Sequence, residues 1–79
     1  MTTITVPQEL LDRIRAKRAY NKCSQEEISD MIGKPRTTYR LKENGDKEFK
    51  LSEFAKTVIA LKFTREEIGD MIMLFNLND

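Results

Sequence analysis

Residues 24–45 read SQEEISDMIGKPRTTYRLKENG, and this stretch decides the fold. Ser24 and Glu27 stand three apart ahead of an apolar run. At that spacing the serine hydroxyl accepts the amide of residue 27 while the glutamate reaches back to the amide of residue 24. Ile28, Met31 and Ile32 then form one apolar helical face, and Gly33 ends the helix as a left-handed cap. Pro35 favours the first turn of a new helix, which Gly45 closes after Asn44. Two helices are predicted, the second over about 35–44, and together they have the outline of a helix-turn-helix.

Before this stretch, Leu10, Leu11, Ile14 and Ala19 recur at helical spacing from about Val6 to Asn21, with Pro7 in the first turn. Past a polar loop at 46–50, Ser52 is the expected cap of a fourth helix whose apolar face is Phe54, Ala55, Val58, Ile59 and Leu61. Thr64 and Glu67 form a second capping box, opening a fifth helix with Ile68, Met71, Ile72 and Phe75 on one side. No stretch alternates with period two long enough to predict a strand. The expected fold class is all-α, a compact five-helix single domain over residues 1–79 with its helix-turn-helix unit at about 24–44. SQEEISDMIG at 24–33 and TREEIGDMIM at 64–73 agree at six of ten positions. They read as one capped-helix template used twice, with unrelated flanks.

Composition narrows the function classes. A chain of 79 residues supports one small core and no second domain. With no His and a single cysteine, Cys23, it lacks a nitrogen and sulfur ligand set for zinc or iron–sulfur, and any Ser–His or Cys–His nucleophile pair. The expectation is a non-enzymatic module with no cofactor and no metal. Cys23 is expected to be a small buried hydrophobe, compatible with a reducing cytoplasm. The opening residues lack a secretory pattern, and no apolar run approaches the ~20 residues of a membrane span. A soluble cytoplasmic protein is therefore expected.

The net charge is only +1, but it is unevenly spread. Residues 1–45 hold nine basic against six acidic residues, and residues 46–79 hold five against seven. That asymmetry suggests a basic binding face on a neutral or acidic support. On the third helix, Arg36, Thr37, Arg40, Leu41 and Asn44 share one side, while Thr38, Tyr39 and Lys42 share the other. Two arginines, a hydroxyl, an amide and one apolar contact suit base edges and phosphates in a DNA major groove.

At these residues the chain resembles the lambda-repressor-like DNA-binding domains of the Cro/CI (XRE) class, and within it the small phage Cro-like regulators. The likeness runs from about Asp12 to Ile72. It rests on RIRAKRAYNKCSQEEISDMIGKPRTTYRLKENG and LSEFAKTVIALKFTREEI. The first stretch lies on lambdoid repressors without a gap, through Ser24–Gln25, Gly33 and Glu43–Asn44–Gly45. The resemblance implies a sequence-specific regulator of transcription in a bacterial host cell, acting by occluding a promoter. It implies a pseudo-palindromic double-stranded operator, bound by a weak or DNA-assisted homodimer.

Residue by residue, Arg36, Thr37 and Leu41 match base-reading positions. Gln25 matches a residue that contacts phosphate and braces the recognition helix, and Arg18 with Glu43 matches an ion pair between the first and third helices. Lys34, Arg40 and Asn44 lie near the backbone path on geometry alone. Lys42 departs from the pattern, standing where the family has a core aliphatic, so its stem is expected to pack while its amine snorkels to solvent. The loop after Gly45 departs too, mixing Asp46 and Glu48 with Lys47 and Lys50.

A second reading belongs to another class: a protein-interaction module on the same fold, such as an antirepressor or antitoxin-like partner. The acidic second half favours it, as does the apolar run Met71 to Phe75 followed by Leu77. On this reading Met73, Leu74 and Leu77 form a self-association or partner surface.

Overall fold

Left-handed backbone at Gly33 (φ 71°) and Gly45 (φ 89°) closes the two central helices. The conformation suits glycine at both places, and at Gly45 a side chain would also press within 3.3 Å of Leu11. The computed structural model describes residues 2–75. In chain order the elements are β1 (Thr3–Ile4), α1 (Gln8–Tyr20), α2 (Gln25–Ile32), α3 (Arg36–Asn44), β2 (Phe49–Lys50), α4 (Leu51–Ala60) and α5 (Arg65–Ile72). Among the described residues the domain is mostly helical, with five helices as the periodicity predicts.

Two short strands overturn the expectation of no strand, while the fold remains mostly helical. Thr3 pairs with Lys50 and Ile4 with Phe49, antiparallel, and the Leu51 amide donates to Thr2 O at 2.9 Å. Two-residue strands carry no period-two signal, so only tertiary placement reveals them. They draw the N-terminal segment across the loop after α3, where the Thr3 and Thr5 hydroxyls donate to Glu48.

α2 packs against both α3 and α4, and α1 against α3. The core joins Leu10, Leu11 and Ile14 of α1 to Ile28 and Ile32 of α2, Tyr39 of α3, Phe54 and Val58 of α4, and Phe49, Leu61 and Met71. Tyr39, Phe49, Phe54 and Phe75 run through it edge to face, with ring centroids 6.3, 5.9 and 5.9 Å apart.

Four residues of the expected apolar faces are on the surface: Ala19, Met31 (61% exposed), Ile59 (70%) and Ile72 (50%). On α2 and α4 small hydroxyl residues take the inward place. Ser29 and Thr57 are buried, with Oγ donating to Glu26 O and Oγ1 to Glu53 O at 2.8 Å. A hydroxyl satisfied by its own helix enters the core at little polar cost, and its small size allows close helix approach. Ser52 is likewise not the cap of α4. The helix starts two residues earlier than a Ser52 cap would give, at Leu51, straight out of β2, and the Glu53 carboxylate accepts the Lys50 amide at 2.8 Å.

The repeated template extends further back than the ten aligned positions. Both boxes close as expected, Ser24 with Glu27 and Thr64 with Glu67. In front of each, Lys22 (φ 54°) and Lys62 (φ 62°) are left-handed. The following amides bond back five residues in the same way, Cys23 to Arg18 O at 2.9 Å and Phe63 to Val58 O at 3.1 Å. This is the Schellman pattern, built on lysine where glycine is usual. Asn21 Nδ2 donates to Leu61 O at 2.7 Å and joins the two corners. The lysine Cβ makes this backbone unfavourable, so Lys62→Gly is expected to stabilise the fold by about 0.5–1 kcal/mol, net of glycine's larger unfolded-state entropy. A thermal melt checks this: Tm should rise for Gly and fall for Val.

Candidate nucleic-acid interface

α3 presents two chemically distinct sides. Arg36, Thr37, Arg40 and Asn44 are exposed and Leu41 is half-buried, whereas Tyr39, Lys42 and Glu43 are buried. All five residues singled out on its outer side therefore reach solvent together. Pro35 precedes the helix, which has no side-chain N-cap, so its first amides remain open.

Glu43 anchors the helix from behind. It is fully buried, and Arg18 forks onto it, Nε to Oε2 at 3.1 Å and Nη2 to Oε1 at 3.0 Å. Gln25 Nε2 also donates to Oε1, at 3.1 Å. Arg18 further donates to Cys23 O at 3.1 Å, and Arg15 to the Glu43 backbone carbonyl at 2.8 Å. α1, the start of α2 and the end of α3 are thus tied at one carboxylate. Burial pushes the Glu43 carboxyl up, but Arg18, the nearby Tyr39 hydroxyl and Gln25 outweigh it and hold it below the usual carboxylate range. The Tyr39 hydroxyl is buried with no partner at hydrogen-bond geometry among the described residues, and burial, then Glu43, drives its pKa upward. Gln25 spends one amide hydrogen on this brace, leaving its second hydrogen for any other acceptor.

Lys42 corrects the snorkelling expectation. Its side chain is turned inward and its ammonium pairs with Glu53, itself buried in the first turn of α4. Lys34, in the turn between α2 and α3, comes to the other oxygen, with Nζ 3.3 Å from Oε2. Burial opposes ionisation of Glu53, but Lys42, the Lys50 amide and Lys34 together lower its pKa from 4.5 to about 2. A carboxylate depressed on folding contributes stability that is present above its unfolded value and lost as pH falls through its folded value. Between about pH 4.5 and 2, protonating Glu53 should cost about 3 kcal/mol. Urea melts across that range check this: the Lys42→Leu, Glu53→Leu double variant should lose less stability than wild type, by about that amount.

Cys23 is half-buried, and burial, then Glu27, pushes its thiol up, away from the reactive thiolate. Among the described residues no three His, Cys, Asp or Glu side chains gather to hold a metal ion. Nor is any described helix long and apolar enough to cross a membrane.

The C-terminal surface divides differently from expectation. Met73 is 79% exposed, but Leu74 is half-buried against the core, and Leu77 lies outside the described residues. Truncation after Ile72 would remove Leu74 and Phe75, both packed on the core. A further apolar feature is a groove of about 330 Å³ between α4 and α5, lined by Leu51, Phe54, Val58, Ile72 and Phe75 together with Ile4. Leu51 and Ile4 gave no sequence signal for it, because one starts a helix and the other belongs to a strand that periodicity does not show. Comparisons with protein families, curated proteins and solved structures return no match for the chain.

Proposed function

We propose that the chain is a sequence-specific, double-stranded-DNA-binding regulator of transcription, of the lambda-repressor-like Cro/CI kind found in phages and prophages. One observation carries this reading: Arg36, Thr37, Arg40 and Asn44 are all exposed on a helix whose opposite side is fixed by the Arg18–Glu43–Gln25 brace. A helix held rigidly from behind can present side chains to a groove with little ordering cost on binding. In this reading Arg36, Thr37 and Leu41 contact bases, and Gln25, Arg40 and Asn44 contact the backbone. Regulation follows from occupying the operator, so no cofactor enters. A homodimer would place two α3 helices about one turn of DNA apart on a pseudo-palindrome in the host cytoplasm. The test is binding to the intergenic DNA beside the protein's own gene at two salt concentrations. Tight specific binding that weakens steeply with salt supports the reading, and no binding at low salt removes it.

The α4–α5 groove favours a second reading, in which the same fold engages a protein, as an antirepressor or antitoxin-like partner does. Leu51→Ser with Ile72→Ser separates the two: it leaves DNA binding of the monomer intact and abolishes partner capture.

A further inference from the structure

We infer that Glu53 is an internal competitor for DNA phosphate, holding the turn residue Lys34 back from the backbone and so weakening the protein's electrostatic grip on DNA. This rests on the DNA-binding reading above. Lys34 precedes Pro35 and the open amides of α3, where a phosphate is favoured by the helix dipole and by Arg36. A lysine extended outward there would add a cation to that surface. Instead its ammonium folds back to Glu53 Oε2, 3.3 Å away.

The two lysines on Glu53 are not equivalent. Lys42 is buried with its amine turned onto Oε1, which also accepts the Lys50 amide at 2.8 Å. Lys34 keeps about a third of its side chain exposed, at 34%, and approaches from the rim. When Lys34 leaves, Glu53 and Lys42 remain a neutral pair, so the exchange strands no net charge in the interior. What the exchange does cost is the Lys34 ammonium beside Oε2, an oxygen with no partner at proper hydrogen-bond geometry among the described residues. That cost is subtracted from the Lys34–phosphate attraction.

The experiment uses the full chain and the Lys42→Leu, Glu53→Leu double variant, which replaces a buried ion pair by apolar side chains, often neutral for stability or better. A second variant, Lys42→Leu with Glu53→Gln, keeps an acceptor for the Lys50 amide should the first fold poorly. Without DNA, acetylation of Lys34 by acetic anhydride is expected to lag behind the exposed Lys47 in wild type and to match it in the variants. With DNA, the slope of log K against log salt should become about 0.9 more negative, the value of one further phosphate contact. The variant-to-wild-type affinity ratio is then about 3.5-fold larger at about 50 mM than at about 200 mM salt. Adding Lys34→Ala to either variant should return the wild-type slope. Equal acetylation of Lys34 in all proteins overturns the restraint, independently of DNA. Wild-type binding with an unchanged slope in the variants overturns the competition, whereas no binding by any of the proteins overturns the DNA reading together with the inference built on it.

Discussion

Glu43→Ala is expected to destabilise the domain by about 3 kcal/mol, lowering Tm by roughly 12–24 °C, while Glu66→Ala on the exposed face of α5 changes it little. The size follows from what the carboxylate holds. Arg18 gives it two hydrogen bonds and Gln25 a third, all onto a side chain with no solvent access. Truncation leaves the guanidinium and the Gln25 amide facing a void, with Tyr39 beside them. An unpaired, partly buried cation and an unsatisfied donor both cost far more than the intact pair contributes net. Glu43→Gln should fall between the two, since it keeps an acceptor but loses the charge. Differential scanning calorimetry on the three variants measures this directly, and equal melting of Glu43→Ala and Glu66→Ala would contradict the brace.

The second large effect concerns recognition. Arg36 opens α3, where its exposed guanidinium can fork onto the O6 and N7 acceptors of a guanine in the major groove. Arg36→Ala is expected to lose about 1–3 kcal/mol of binding and to relax preference at one base pair of each half-site. Gln25→Ala should act differently. Its amide braces Glu43 and, on DNA, contacts phosphate, which carries no base identity, so good and poor sites should weaken alike. The same variant should also lower stability, because Glu43 loses a donor. Selection from randomised operators separates the two changes. If Arg36→Ala returns the wild-type consensus, α3 is not the reader and the protein-interaction reading moves ahead.

What was legible in the sequence was local. Capping boxes at Ser24–Glu27 and Thr64–Glu67, and the left-handed glycines at 33 and 45, involve residues within a few positions of each other, so their spacing carries the geometry. The outer face of α3 was legible for the same reason, since helical angle alone groups Arg36, Thr37, Arg40 and Asn44. The Arg18–Glu43 pair, 25 positions apart, was reached only through the family resemblance and not through any local rule.

The Lys42–Glu53 pair was not legible, because Glu53 looks like a surface charge in its own helix and only the tertiary fold brings Lys42 of α3 to it. Met31 and Ile59 misled for the opposite reason. Hydrophobicity placed them inward, while Ser29 and Thr57 were small enough to occupy the interface and satisfied their own hydroxyls. The left-handed lysines at 22 and 62 escaped because lysine carries no signal for that backbone.

On the DNA-binding reading the exposed side of α3 meets DNA, and a nitrogen-15 chemical-shift titration of the full chain with its intergenic operator maps that contact. The expected result is that the amides of Gln25, of Lys34 and of Arg36 through Asn44 move most, together with the side-chain signals of Arg36 and Arg40, while Leu51, Ile72 and Met73 stay still. Perturbations gathered along the α4–α5 groove with α3 unmoved would contradict it.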